Sequence, residues 1–272
     1  MELHWHTEPF LLLSLLAVSW FYSLLTLPFR HRWDPERGVR VRDKAILFHT
    51  GVFVTYLTVG SPLDQLGEDY LFFMHMIQHI LLVYIIPPMF FLGVPKELAE
   101  YLVSPKSIRA SVRALGHPVV AGLLFNFTYT IWHVPLLYEA ALHSKPIHML
   151  EHATMFFTAV FMWWPLLSQV GGSLAISSYG VRILYAFLLM VAQLPVFAFL
   201  VFANVPLYET YVWAPRIIEG LTPLDDQIVG GLIMKVCNMI VSLSIISYCF
   251  FQWARSDSSA SASASRGKVS HA

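Results

Sequence analysis

Apolar stretches of about 20 residues, the length an α-helix needs to cross a hydrocarbon core, recur along almost the whole of this 272-residue chain. Nothing limits its fold more tightly. In lipid, backbone N–H and C=O groups must find partners within the segment, so such stretches become helices packed against one another. Only 12% of the residues are charged and 57% are hydrophobic, whereas a soluble domain carries about 25% charged residues. An ordinary soluble enzyme is excluded, and an all-α polytopic membrane bundle is expected.

Seven spans are predicted, at about 9–28, 44–61, 70–92, 118–138, 148–168, 181–203 and 228–252. Aromatic residues and proline edge several of them, as at Trp132 and Trp163-Trp164-Pro165, in keeping with a membrane interface. The opening MELHWHTEPF lacks the positive run of a cleaved signal, so the first span is expected to be retained. No internal repeat is evident, which argues against an inverted-repeat transporter. One transmembrane domain, 1–253, is followed by a low-complexity tail, 254–272, whose Ser/Ala composition predicts disorder. Cys237 and Cys249 lack CxxC spacing and imply neither a disulfide framework nor a thiolate site.

Lysine and arginine are distributed very unevenly between the two sides of such a bundle. Fourteen fall on one side: Arg30, Arg32, Arg37, Arg40, Arg42 and Lys44; Lys96, Lys106, Arg109 and Arg113; Arg182; and Arg255, Arg266 and Lys268. The other side has Lys145 and Arg216, with Lys235 inside a span. Positive residues stay cytoplasmic, so the N-terminus is expected outside and the C-terminus in the cytoplasm.

That orientation gathers the histidines. Of twelve, eight are predicted outside or in the outer third of the membrane: His4, His6, His75, His79, His133, His143, His148 and His152. His75/His79 in HMIQH and His148/His152 in HMLEH are four apart, which puts each pair on one helix face about 6 Å apart along the axis. Polar groups at that depth are costly unless they face the bundle interior and find partners. Two facing pairs, joined by His133, would supply enough imidazoles for a transition metal. Glu151 and Gln78 are placed to orient ring nitrogens as supporting groups. Met74, Met76, Met149 and Met155 flank the pairs, and thioethers are compatible with Cu(I). His4, His6 and His143, being exposed, are candidates for transient metal capture.

Other features have structural readings. His49 in span two is expected to pack, and His117 in GHPVV to open a helix. Pro87-Pro88 and Pro195 should kink their spans, with neighbouring helices satisfying the freed carbonyls. Gly230-Gly231 suits a close helix contact. Lys235 can snorkel outward. Asp226 either caps the last span or helps hold a cation.

Three segments, SPLDQLGEDYLFFMHMIQHILLVYIIPPMFFLGVP, IWHVPLLYEAALHSKPIHMLEHATMFFTAVFMWWP and PLYETYVWAPRIIEGLTPLDDQIVGGLIMK, resemble the CtaG family of bacterial caa-type cytochrome c oxidase assembly factors. The resemblance runs from about Ser61 to Lys235. It implies a seven-span protein of the bacterial inner membrane that matures the oxidase by helping deliver copper to its catalytic subunit. The family pattern falls on His75, His79, His133, His148 and His152, with Asp226 and Gln227 where the last span begins. Lys235 departs from it, since an uncharged residue, often Trp, is expected there.

A non-enzymatic copper-handling assembly factor is therefore the leading expectation. Its partners would be cytochrome c oxidase subunits, a periplasmic copper chaperone and membrane lipid, with no nucleic acid. The alternatives are a seven-span intramembrane zinc-dependent hydrolase, with Glu151 or Asp226 as base, and a membrane protein holding haem between facing imidazoles.

Overall fold

In a computed structural model of the chain, the described residues are 4–5, 7–26, 38–168, 170, 176 and 178–269, with side chains described for all of these but 38–40 and 257–269. His6, Arg30, Arg32 and Arg37 lie outside this set. All regular structure among the described residues is helical, as composition and hydropathy predict.

The helices are α1 (Pro9–Thr26), α2 (Gly38–Gly60), α3 (Pro62–Asp69) and α4 (Phe72–Ile80), which runs through a π-helical turn, Leu81–Ile85, into α5 (Ile86–Gly93). Next come α6 (Lys96–Leu102), α7 (Lys106–Leu115), α8 (Pro118–Trp132), α9 (Pro135–His143) and α10 (Lys145–Leu167). The chain closes with α11 (Tyr179–Ala192), α12 (Leu194–Val201), α13 (Glu209–Trp213) and α14 (Pro223–Val269). Among the described residues, five stretches are long and apolar enough to cross a membrane: Pro9–Thr26, Val41–Asp69, Phe72–Gly93, Tyr179–Val201 and Pro223–Ser256. A sixth arises if α7 and α8, bent 68° at their junction, count together. Their outward faces carry exposed apolar side chains such as Trp20, Phe127, Phe157, Leu184 and Phe251, as a lipid-facing surface requires.

Two expected spans take a different form. The stretch 118–138 is helical only to Trp132, because Pro135 disfavours helical backbone at Val134 and restarts the chain as α9. The stretch 148–168 belongs to the 23-residue α10, whose first half carries Lys145, His148, Glu151 and His152. That polar content, of which His148, Glu151 and His152 turn inward while Lys145 stays exposed, keeps α10 out of the long apolar group. The last helix, α14, runs on from the seventh expected span as far as Val269. Residues 270–272 lie outside the described set.

Proline shapes the core around the site. Pro87 has no N–H for the carbonyl of Val83, four residues earlier. Trp163 of α10 fills that vacancy, its Nε1–H donating to Val83 O at 2.7 Å. The π turn before Ile86 absorbs the misfit, so the expected kink is taken up as a local widening. In the sixth expected span the break falls at Gln193, just before Leu194 and Pro195. There Lys235, half-buried, donates to Met190 O at 3.0 Å, so its ammonium serves a backbone carbonyl beside the break. His49 packs as expected, its ring nitrogens 2.8 and 3.2 Å from the hydroxyls of Ser19 and Ser23 on α1.

Two close approaches fix α4 in place. A Cβ on Gly230 would sit 2.5 Å from the Phe72 ring, so only glycine lets α14 lie this near α4. A Cβ on Gly67 would sit 3.0 Å from the backbone of His75, which holds α3 equally tightly across α4.

Candidate metal centre

Three helices bring their donors to one end of the bundle. α4 contributes His75 and His79, α10 contributes His148, Glu151 and His152, and the end of α8 contributes His133. All six are buried, the most exposed being His152 at 9%. One donor atom from each of His75, His148, Glu151 and His152 lies within 4.8 Å of the others. Atoms bound to one ion at about 2.0–2.1 Å stand at most about 4.2 Å apart, so a slight inward rotation closes this set on a single ion. His79 adjoins it, with Nε2 2.9 Å from His75 Nε2 and 3.4 Å from Glu151 Oε1. His75 Nε2 is 3.7 Å from the same carboxylate oxygen. The rings touch in succession: His148 and His152 at 4.1 Å between centroids, His75 and His148 at 5.3 Å, His79 and His133 at 5.6 Å.

The protonation pattern leaves lone pairs turned inward. His133 Nδ1 is 2.6 Å from the carbonyl of Tyr129, so it must be the N–H donor, and Nε2 keeps its lone pair. His148 Nδ1 pairs with the Glu68 carboxylate in the same manner, the carboxylate–histidine arrangement that orients a metal-binding ring. Seven buried atoms here have no hydrogen-bond partner among the described residues: His75 Nδ1, His79 Nδ1, His133 Nε2, His148 Nε2, His152 Nε2 and both Glu151 oxygens. Buried polar atoms are normally paired. A concentration of unpaired donors for an ion, held on rigid helices, is the chemistry of a binding site.

The surroundings hold these side chains still. Asp226 accepts the N–H groups of Phe72 and Phe73, both at 2.9 Å, and so caps α4 from α14. Trp132 Nε1–H donates to Thr154 Oγ1 at 2.8 Å, tying α8 to α10 beside the cluster. Tyr208 donates to the carbonyl of His133 at 2.9 Å, and Tyr211 to that of Gly67 at 2.6 Å. With Phe72 and Tyr138, these buried rings form an aromatic wall over His75.

The family model described as cytochrome c oxidase caa3 assembly factor (Caa3_CtaG) matches residues 20–256. The chain belongs to the CtaG family. The match takes in every residue of the cluster and extends beyond the stretch 61–235 that carries the resembling motifs. No curated protein and no solved structure matches the chain. CtaG proteins are assembly factors for a cytochrome c oxidase, which makes the oxidase the partner that membership implies.

Within this CtaG fold the predicted residues divide clearly. His75, His79, His133, His148 and His152 come together, and Glu151, expected only to support them, joins the donor set itself. Asp226 lies in the first turn of α14, but its carboxylate caps α4 and not the last span. Gln227 accepts from Leu207 N at 2.7 Å and donates to Leu200 O at 2.8 Å, so it fastens the preceding loop. Gln78 turns away from the rings and donates to Thr58 O and Asp64 Oδ1. Met155 is buried in the core and Met74 half-buried. His143 stays exposed, bonded to the carbonyl of Glu139, apart from the cluster. His4 is exposed too, its backbone N–H on Gln65 Oε1 at 3.3 Å. Sequence reasoning missed Asp64, Glu68 and the tyrosine wall. The signal for the acids was present, since Asp64 and Glu68 share the four-residue spacing of the histidine pairs.

Proposed function

We propose that this CtaG-family protein holds copper on the buried histidine–glutamate cluster as cargo, and passes it to the catalytic subunit of the oxidase. The observation that carries the reading is the set of seven buried donor atoms on three helices with no hydrogen-bond partner among the described residues. Imidazole donors suit copper, and more donors than one ion needs allow ligand exchange, which transfer requires. The role is non-catalytic. Copper arrives at the outer face, from a periplasmic copper chaperone or by capture on His4, His6 and His143. The bundle lies in the bacterial inner membrane among its lipids. Adding α8 and α10 to the five long apolar stretches makes seven crossings. The lopsided lysine and arginine distribution supports an outer N-terminus and a cytoplasmic C-terminus.

Metal analysis of protein purified without a histidine tag tests this. About one copper per chain is expected, lost when His75, His79, His148 and His152 are all changed to Ala. Unchanged stoichiometry in that variant would remove the site assignment.

Glu151 beside three histidines favours one second reading, a zinc hydrolase with a carboxylate base. Turnover of a lipid ester or amide that depends on Glu151 would select it. The imidazoles pack ring against ring, which favours an ion over a haem between them.

A further inference from the structure

We infer that Asp64, Glu68 and His148 form a second, outer cation site, where a divalent ion is taken up before moving inward to the histidine cluster. The inference rests on the copper-cargo reading for its direction of travel. Each of the three offers a donor atom within 4.8 Å of the other two. Asp64 and Glu68 stand four apart on α3 and so share one face. Two carboxylates with one imidazole suit a divalent ion such as Cu(II) or Zn(II) better than Cu(I), which prefers softer ligands.

Asp64 and His148 line a cleft of about 470 Å³ between α1, α2 and α10, together with Leu11, Met149 and His152. His152 is nine-tenths buried, and its Nε2 has no partner among the described residues. The ring of His152 lies beside Asp64 in the lining of this mainly apolar cleft, and its unpartnered Nε2 marks where an ion goes next. Over His75 the cluster is covered by the aromatic wall, so this cleft is the way in. Lys145 Nζ reaches Glu8 Oε1 at 3.3 Å, and both residues line the cleft.

His148 belongs to both donor sets, and that membership supplies the path. Loading the outer site displaces the proton shared between His148 Nδ1 and Glu68 to water. The ion then leaves the two carboxylates as it gains His75 and His152, exchanging one nitrogen of the His148 ring for the other. The proton returns to the His148–Glu68 pair behind it, so the relay resets.

The test loads full-length, untagged protein in lipid nanodiscs with Cu(II) alone, read by electron paramagnetic resonance and rapid mixing. Wild type should show an oxygen-rich signal that forms first and a nitrogen-rich one that follows. In Asp64→Asn/Glu68→Gln the first signal should vanish. The second should still fill, but at least about tenfold more slowly, the low end of what a charged cleft adds to cation on-rates. His75→Ala/His79→Ala/His152→Ala should keep the oxygen-rich signal alone. Lys145→Gln removes a repelling cation from the cleft and should speed loading. Wild-type loading in Asp64→Asn/Glu68→Gln, or slower loading in Lys145→Gln, would overturn the inference while leaving the inner cargo site intact. An oxygen-rich signal with no nitrogen-rich one in wild type would instead remove the cargo reading, and the staging role with it.

Discussion

Two buried polar regions of this bundle are alike in burial and differ in what they leave undone. Around Tyr84, three helices meet through hydrogen bonds. Tyr84 Oη donates to Gln193 Oε1 at 3.0 Å and lies 2.8 Å from both Gln193 Nε2 and Asn238 Nδ2. Only Asn238 Oδ1 has no partner there among the described residues. The histidine cluster, larger at six side chains against three and equally buried, leaves seven atoms so. The first region joins helices, as interhelical hydrogen bonds do in membranes. The second is built incomplete, at a cost that makes sense only if something completes it. Unpaired atoms, more than polarity or burial, separate a binding site from polar packing.

Metal addition should break the likeness most sharply. An ion that binds only the folded state at 100 times its dissociation constant stabilises by about 2.7 kcal/mol. Copper should therefore raise the unfolding temperature of wild type and of Tyr84→Phe alike, and should leave His75→Ala/His152→Ala where it was. A copper-induced shift that survives in the double alanine variant would show that the ion stabilises the fold elsewhere.

The next effect is on the frame holding the cluster. Asp226→Ala leaves the N–H groups of Phe72 and Phe73 buried and unpaired, and orphaning a buried donor costs about 1–3 kcal/mol. The loss should appear in the absence of metal, with copper affinity falling as well, because α4 loses the cap that orients both of its histidines. Asp226→Asn keeps one acceptor oxygen and should recover part of each. If Asp226→Ala lowered affinity without lowering apo stability, Asp226 would be a ligand and not a cap.

Much of this was legible in the sequence because two periodicities act at different scales. Apolar runs of about 20 residues set the helices, and the i, i+4 spacing set which histidines share a face. Lysine and arginine placement then matched HMIQH to HMLEH in depth without any knowledge of contacts. What stayed hidden depends on distance in space. Asp226 caps α4 from 153 residues away, and no local pattern announces such a partner. Glu151 looked like a supporting group because it sits between the two histidines of its helix, at i+3 from one and i−1 from the other, off their shared stripe. The helix brings its oxygen instead to His75 and His79 of α4. Pro135 was visible, but its consequence, a span that stops at Trp132 and turns His133 inward, depends on how α9 packs behind it.

The smallest expected effect tests the satisfied region. Tyr84→Phe removes one hydroxyl and keeps the ring, so apolar packing is preserved. Hydrogen bonds between helices in a membrane average about 0.6 kcal/mol, because the unfolded chain also finds partners in the bilayer. Gln193 and Asn238 lose their common partner but remain within reach of one another's helices, which limits the cost further. Tyr84→Phe should therefore unfold about 0.6 kcal/mol more easily, with copper binding unchanged. The measurement is reversible unfolding in mixed micelles, alongside copper affinity on the same samples. A fall in copper affinity with the hydroxyl removed would mean the two polar regions are coupled through the π turn at Leu81–Ile85, the segment that joins Tyr84 to the histidines of α4.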